Sequence, residues 1–294
     1  MKLGMTLPTM VPEAGRDALL GWSRAVDAGP FSSLAVGERI SFGNAEALVS
    51  LSAAAAVTER VRIVATCFVL PLHTATWLAK QAASLDRLAA GRFTMAVGVG
   101  GREEDYRVVG APFERRHARM DEQVAELRRI WSGEPALPDS APVGPPPHQH
   151  GGPPLWIAAA GERPLRRAAR WAEGLAGFSL GPGAEEMDRV FRSAEQAWRD
   201  AGREKPPHLA TSFWYALGDG AESRLGEYAA RYLTVFGEGP ARALASQCRA
   251  AGQAALRESL TVARDAGADE VILVPTSADP DELERTLDAI APFV

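Results

Sequence analysis

The feature that most limits the fold is an alternation of short apolar runs with longer helical patterns, repeated about eight times along 294 residues. Most of the apolar runs are continuous, which is typical of parallel strands covered by helices. Eight strand–helix units in a chain of this length predict an α/β fold, a TIM (β/α)8 barrel occupying residues 1–294 as a single domain. The predicted strands are 2–7, 33–37, 61–68, 93–99, 155–160, 175–180, 209–217 and 270–275.

The segments between these runs have helical periodicity and recognisable ends. Asn44 is the predicted N-cap of a helix over 45–58, and Thr74 or Thr76 that of the helix ending at Ala90. A doubly wound sheet also alternates, but it usually opens with a glycine-rich turn, which residues 7–12 lack. The other predicted helices are 16–28, 119–131, 164–171, 184–201, 222–236, 241–266 and 280–290.

Residues 133–154 interrupt the alternation between the fourth and fifth predicted strands. They contain eight prolines and several glycines, which leave no room for a helix. We interpret the segment as an insertion and expect it on the face of the barrel that carries the active site. A linker between two domains is the alternative, but neither half of the chain has enough strands to close by itself.

Charge and cysteine content exclude several classes of protein. The chain has 32 basic and 37 acidic residues, and a net charge of −5 gives no general attraction to nucleic acid or membranes. No stretch approaches the roughly 18 apolar residues of a membrane span. Two cysteines, Cys67 and Cys248, are too few for a disulfide framework or a zinc cluster. We therefore expect a cytoplasmic protein that holds no metal and has neither nucleic acid nor a membrane as its partner.

Two turns at predicted strand ends could bind an anion. The first is Gly98-Val99-Gly100-Gly101-Arg102, whose glycines let backbone N–H groups approach a phosphate. The second, Ala160-Gly161, opens a helix whose free N–H groups and dipole favour negative charge, with Arg163 nearby. Alternatively, the glycines only permit tight turns. Neither turn matches the dinucleotide fingerprint, because Glu103 occupies the position of the third glycine.

The other candidates have plainer explanations beside the functional ones. Glu38 and Arg39 follow a buried strand and are either solvated charges or contacts to a proton or a substrate. Cys67 at a strand end is a small packing residue or a nucleophile, and no catalytic constellation around it can be assigned. His148 and His150 lie in the proline-rich segment without neighbouring metal ligands, which indicates a solvated loop.

In combination, several segments resemble the luciferase-like monooxygenase superfamily, the bacterial-luciferase-type flavin and deazaflavin oxidoreductases. They include SLAVGER at 33–39, VLPLH at 69–73, LAKQAASLDRL at 78–88 and GRF at 91–93. Further matching segments are 58–63, 98–100, 102–106, 119–122, 154–157, 165–170 and 267–271, so that the resemblance spans nearly the whole chain.

The resemblance implies a TIM barrel that binds FMN or coenzyme F420 noncovalently. The cofactor ring would rest on a bulge at Thr66-Cys67, with Thr6 as a further contact. The phosphate would bind at the two turns described above, Gly98–Gly101 and Ala160-Gly161. The F420-dependent sugar-phosphate dehydrogenases of this superfamily have a histidine and an acid where this chain has Arg39 and Gly101. Sugar-phosphate dehydrogenase activity is therefore not expected here.

Three functions remain open. The first is an oxidoreductase that uses coenzyme F420 for hydride transfer to or from a small organic substrate, with Glu38 or Arg39 at the ring edge or the substrate. The second is an FMN-dependent monooxygenase supplied with reduced flavin by a separate reductase. The third is a noncatalytic member that binds flavin.

Three local predictions accompany these functions. We expect a non-proline cis peptide or a β-bulge at Thr66-Cys67. We expect the turns at 98–101 and 160–161 to converge on one anion, assisted by Arg102 or Arg163. We also expect a homodimer, because the segments 45–57 and 76–89 place apolar residues on more than one helix face.

Overall fold

Eight parallel strands close into a barrel in the computed structural model, which describes residues 1–12 and 14–294. Each strand pairs with the next one in the chain, and β8 pairs with β1. The predicted TIM barrel is therefore confirmed. The strands are β1 (Lys2–Thr6), β2 (Ser33–Gly37), β3 (Arg62–Val69), β4 (Phe93–Gly98), β5 (Leu155–Ile157), β6 (Gly174–Ala176), β7 (His208–Tyr215) and β8 (Glu270–Pro275).

Helices cover the outside of this barrel because their apolar faces bury against the strands. In chain order they are α1 (Arg16–Ala28), α2 (Ala47–Ala56), α3 (Ala75–Leu88), α4 (Glu103–Val108), α5 (Arg116–Trp131), α6 (Glu162–Ala168), α7 (Ala184–Asp200), α8 (Ala221–Leu233), α9 (Glu238–Ala245), α10 (Gln253–Asp265) and α11 (Pro280–Ile290). Single 3₁₀ turns lie at Leu70–Leu72, Thr234–Phe236 and Ala291–Phe293. None of the helices in the described ranges has the length and apolar character needed to cross a membrane.

Two helix predictions are corrected. Helix α2 begins at Ala47, and its cap is Glu46, whose carboxylate accepts a hydrogen bond from the Val49 N–H at 2.6 Å. The Asn44 amide instead bonds the neighbouring Ala45 carbonyl. The predicted helix over 241–266 is divided into α9 and α10 because Gly252 has a φ of 84°, which a helix cannot accommodate.

The proline-rich segment 133–154 lies between β4 and β5 as predicted, but on the opposite face of the barrel from the one expected. It follows helix α5 and leads into the first residue of β5, so it covers the N-terminal ends of the strands. The Gln149 side chain donates to Asp86 and to the carbonyl of Phe93, the first residue of β4. His148 and His150 are exposed there, and no metal-binding cluster occurs among residues 1–12 and 14–294.

Candidate active site

A cavity of about 320 Å³ opens at the C-terminal ends of the strands. This is the face on which TIM-barrel enzymes place their active sites. One part of the lining consists of small residues, because the ends of β5 and β6 contribute alanines and a glycine. Another part is aromatic and comes from β6, β7 and α8. The lining residues are Thr6, Leu7, Thr9, Met10, Gly37, Glu38, Thr66, Cys67, Ala158, Ala159, Ala160, Ala176, Gly177, Phe178, Ser212, Trp214, Tyr228, Tyr232 and Val274.

A β-bulge lies in β3 at the edge of this cavity. The register passes from Val36 opposite Ala65 to Gly37 opposite Cys67, so Thr66 is an extra residue. The pairing with β4 also shifts between Ala65 and Phe68. The predicted bulge is thus present, and the Thr66-Cys67 peptide bond is trans. Bulges redirect side chains and often lie next to active sites.

The Cys67 thiol remains neutral at physiological pH. Its burial and the charge of Glu38 raise its pKa to about 12. Because only the thiolate is a strong nucleophile, Cys67 serves as an apolar surface in the cavity rather than as a reactive group. At the C-terminal end of β1, on the same face of the barrel, the hydroxyl of Thr6 is buried and has no hydrogen-bond partner among the described residues.

Glu38 is held by two donors. Its Oε2 accepts the Val69 N–H at 2.8 Å, and its Oε1 lies 2.9 Å from Nε2 of His73. The Glu38 side chain is only 5% exposed and that of His73 is 20% exposed. Burial alone would lower the pKa of His73, but the hydrogen bond and charge of Glu38, together with the charge of Glu46, raise it. Sequence reasoning did not single out His73, because its partner lies 35 residues away.

The predicted candidates Arg39 and Arg102 lie beside the cavity without lining it. Both guanidinium groups donate to the Tyr232 carbonyl, at 3.1 Å and 3.0 Å. Arg39 also stacks on Phe42, 3.9 Å from the ring centroid, and on Tyr232 at 4.6 Å. Tyr232 lies near the C-terminal end of α8, where carbonyl groups lack intrahelical partners. The two arginines therefore attach α8 to the turns after β2 and β4.

The glycine turn after β4 packs closely on its neighbours. A Cβ at Gly98 would lie 2.9 Å from the Cys67 sulfur and 3.1 Å from the Ala158 carbonyl. Gly100 has a φ of 60°, and its Cβ would lie 2.9 Å from Val69. The Val99 carbonyl accepts the Tyr106 hydroxyl at 2.5 Å, and Gly101 is exposed with open space around it. Close packing thus requires glycine at positions 98 and 100 but not at 101.

The turn after β5 brings its alanines to the cavity and its glycine to the start of α6. Ala158–Ala160 line the cavity, and Gly161 is the N-cap, with a φ of −92°. The Ala158 N–H donates to the Val97 carbonyl at 2.8 Å, which keeps this turn beside the one after β4. Arg163 is exposed and does not line the cavity.

Besides the predicted Arg102, further positive charge near the turn after β4 comes from arginines that sequence reasoning missed. Arg116 and Arg119, in the first turn of α5, act electrostatically on the Tyr106 hydroxyl, and burial nevertheless raises the pKa of Tyr106 to about 12. Burial and the charges of Arg116 and Arg167 lower the pKa of His117. One buried nitrogen of each of these three arginines has no hydrogen-bond partner in the part of the chain that the structure describes, while Arg167 also forms an ion pair with Asp121. A spacing of three on one helix was the available signal for Arg116 and Arg119.

Known proteins resemble this chain over its full length or over about half of it. An uncharacterized protein of Mycobacterium tuberculosis is 34% identical over 169 residues, 55% of this chain and 58% of that protein. The match therefore spans less than two thirds of the relative's length.

Two solved structures share the fold. An F420-dependent secondary alcohol dehydrogenase, solved with an F420–acetone adduct, has a TM-score of 0.78 at 18% identity and covers 100% of this chain and 98% of its own. The oxygenating constituent of 3,6-diketocamphane monooxygenase from Pseudomonas putida was solved with FMN. It has a TM-score of 0.73 at 14% identity, and the match covers 99% of this chain and 96% of that protein.

A family profile described as luciferase-like monooxygenase matches residues 1–289. This match includes all eight strands and every residue that lines the cavity. The chain belongs to the luciferase-like monooxygenase family.

Proposed function

We propose that this protein is an oxidoreductase that uses coenzyme F420 for hydride transfer to or from a small organic substrate. The observation that carries the proposal is the cavity bounded by the Thr66-Cys67 bulge, with arginines beside the adjacent turns. An apolar cavity with few polar groups suits a planar cofactor ring and a small substrate. The alcohol dehydrogenase of the same fold, whose structure holds F420, supports this choice.

The residues present fit such a cofactor. The bulge and the neutral Cys67 thiol provide an apolar surface for the ring, and the unpaired Thr6 hydroxyl offers a hydrogen bond. Arg116 and Arg119 each retain an unpaired guanidinium nitrogen near Tyr106, whose hydroxyl donates to the turn after β4, and the turn after β5 lies beside that turn. Guanidinium groups and free backbone N–H groups are the usual ligands of phosphate. We therefore propose that the phosphate binds between these two turns.

A bound deazaflavin would supply the hydride chemistry, which explains why no catalytic triad is needed. The protein's own residues orient the ring, exclude water and place the substrate. The aromatic side chains Phe178, Trp214 and Tyr232 form the remaining wall. An apolar wall of this kind favours an uncharged substrate that bears a hydroxyl or carbonyl group.

An FMN-dependent monooxygenase is the second candidate, favoured by the fold shared with the FMN-containing diketocamphane monooxygenase. It would require reduced flavin from a partner reductase. Binding titrations with F420 and with FMN, followed by fluorescence, separate the two candidates. Micromolar binding of F420 together with turnover of a secondary alcohol supports the first. Binding of FMN alone supports the second, and binding of either cofactor without turnover on a broad panel supports a noncatalytic role.

The phosphate site has a test of its own. Replacing Arg119 by Gln should weaken cofactor binding about tenfold, which corresponds to about 1.4 kcal/mol. Arg166→Gln is the matched control, because Arg166 lies on the exposed side of α6. Equal affinity in the two variants would contradict the proposed phosphate site.

We also propose that the protein is a cytoplasmic homodimer that associates through α2 and α3. These helices pack against each other and expose Val49, Trp77 and Leu88 to 69%, 61% and 51%. Exposed apolar side chains of this size on two adjacent helices mark an association surface. Light scattering should give twice the monomer mass, and Trp77→Glu should reduce it to the monomer mass. A monomeric wild-type protein would contradict this proposal.

A further inference from the structure

Glu38 and His73 form a partly buried, hydrogen-bonded pair at the edge of the cavity, and nothing in the proposed function uses it. We propose that the pair is a proton relay, in which Glu38 exchanges a proton with the substrate and His73 exchanges it with solvent. This inference rests on the proposed function, since it names the groups that move the proton accompanying hydride transfer.

The geometry provides a path from the cavity to the surface. Glu38 lines the cavity, and its Oε1 lies 2.9 Å from Nε2 of His73. The side chain of Glu38 is 5% exposed and that of His73 is 20% exposed, so the histidine is the member that reaches solvent. Each carboxylate oxygen can accept more than one hydrogen bond. Glu38 can therefore keep its bonds to His73 and Val69 while it accepts a substrate hydroxyl.

Surrounding contacts hold the pair in position. The Gln123 side chain donates to the His73 carbonyl at 2.7 Å, and the His73 ring packs edge-on against Phe68 at 6.0 Å. The Val69 N–H fixes the second oxygen of Glu38 at 2.8 Å. Both partners are thus held in place by uncharged groups, within the hydrogen-bond reach that proton transfer between them requires.

The charges around the pair favour a mobile proton. Glu38 and Glu46 face His73, and the neutral Cys67 thiol lies beside Glu38. The nearby Arg39 and Arg102 donate instead to the Tyr232 carbonyl. Within residues 1–12 and 14–294, His73 is the one ion-pair partner of Glu38. A carboxylate paired with a histidine can exchange a proton near neutral pH, whereas a carboxylate paired with an arginine cannot.

The proton balance follows directly. When an alcohol is oxidised, the oxidised deazaflavin of the proposed function would accept the hydride from its carbon, and Glu38 accepts the proton from its hydroxyl. Glu38 passes this proton through Oε1 to Nε2 of a neutral His73 that carries its own proton on Nδ1, and the imidazolium releases the Nδ1 proton to water. Exchange of ring protons with water at the exposed edge of His73 then restores the Nδ1–H tautomer for the next turnover. Ketone reduction uses the same path in reverse. Oxidation should accelerate as pH rises through the pKa of His73, and reduction should slow.

The main experiment compares three glutamine variants of the F420-loaded enzyme, with propan-2-ol and acetone as probes. In wild type, kcat for oxidation should rise with pH through a single ionisation above 6.5. His73→Gln keeps a hydrogen-bond donor to Glu38 but does not titrate; kcat should fall about tenfold and lose this ionisation, while KM stays within twofold. Glu38→Gln should do the same. His208→Gln, which alters a histidine beside the buried Glu270, should keep the wild-type profile.

An unchanged pH profile in His73→Gln overturns the relay and leaves hydride transfer intact. A second measurement needs no cofactor: the rate of Cys67 alkylation by iodoacetamide in a Cys248→Ser background, recorded against pH. Loss of the His73 proton leaves the Glu38–His73 pair with a net negative charge, which should hinder ionisation of the Cys67 thiol. The wild-type plot of alkylation rate against pH should therefore bend at the pKa of His73, whereas the His73→Gln plot should not. If F420 does not bind or the probes are not turned over, the proposed function fails. The pH dependence of Cys67 alkylation then tests the relay by itself. A straight wild-type curve then overturns the relay.

Discussion

Each end of the barrel holds a buried carboxylate beside a histidine, and the two ends surround that pair differently. At the N-terminal end, Glu270 is completely buried and accepts hydrogen bonds from Ser32 and Ser33, both at 2.6 Å, while it pairs with Arg62 and His208. At the C-terminal end, Glu38 has two donors and a cavity beside it.

The two ends of the barrel also differ in how tightly their interiors are packed. At the closed end, a Cβ at Gly4 would lie 2.2 Å from the Ser33 hydroxyl, so the interior there is filled by the network around Glu270. Burial alone would raise the pKa of Glu270, but the His208 hydrogen bond, the Arg62 charge and the two serines lower it to about 2. The difference teaches that a carboxylate whose acceptor positions are all occupied stabilises the fold, whereas one with free positions can do chemistry.

The largest expected effect comes from breaking the closed end. Glu270→Gln leaves Arg62 and His208 without their anion and should destabilise the protein by about 3–5 kcal/mol. Because the pKa of Glu270 lies below its ordinary value, its contribution is present above about pH 4.5 and is lost as pH falls toward 2. Urea unfolding between pH 3 and 7 measures both effects. The exposed Glu284→Gln is the control, and equal stability of the two variants would contradict the comparison.

A second substitution tests the packing between the turns at the open end. In Gly98→Ala the new Cβ would push the Cys67 sulfur and the Ala158 carbonyl away from position 98. This displacement should lower folding stability by about 1–3 kcal/mol. Cofactor affinity should fall as well, because the bulge and the turn after β5 both move. Gly101→Ala faces open space and should change stability by less than about 0.5 kcal/mol. Thermal melting and a cofactor titration of both variants provide the measurement.

A third substitution separates binding from stability at the same end. Gly161 has an ordinary extended backbone, and a Cβ there would lie 3.5 Å from the Pro164 ring. Gly161→Leu should therefore keep stability within about 0.5 kcal/mol of wild type. Its side chain should obstruct the approach of a phosphate and weaken cofactor binding about tenfold, or about 1.4 kcal/mol. Undiminished affinity in a folded variant would place the phosphate elsewhere.

The smallest expected effect sharpens the comparison through pH. The pKa of His73 is raised in the folded protein, so the Glu38–His73 pair contributes its full stability below about pH 6.5 and loses it as pH rises through the pKa of His73. His73→Gln should remove about 1 kcal/mol at pH 6 and much less at pH 9. Urea unfolding at both pH values measures this difference. A loss that grows with pH would contradict the assigned ion pair.

Much of the fold was predictable from local patterns, as was the end of the barrel at which the cavity opens. The eight predicted strands all exist, although β5 and β6 are shorter than expected because their last residues leave the sheet to line the cavity. The bulge at Thr66 was predicted from the family resemblance, and the structure confirms it. The glycine turns were recognised as special, but only the structure shows that Gly98 and Gly100 are required by close packing.

The sequence by itself determined the barrel, because hydrophobic periodicity is local and eight repeats leave few ways to bury it. Only the tertiary structure decided which side chains meet. Arg39 turns to the carbonyl of Tyr232, 193 residues away, and His73 finds Glu38 across 35 residues. Arg116 and Arg167 come together from different helices beside His117. These contacts depend on how strands and helices close in space, which no spacing along the chain encodes.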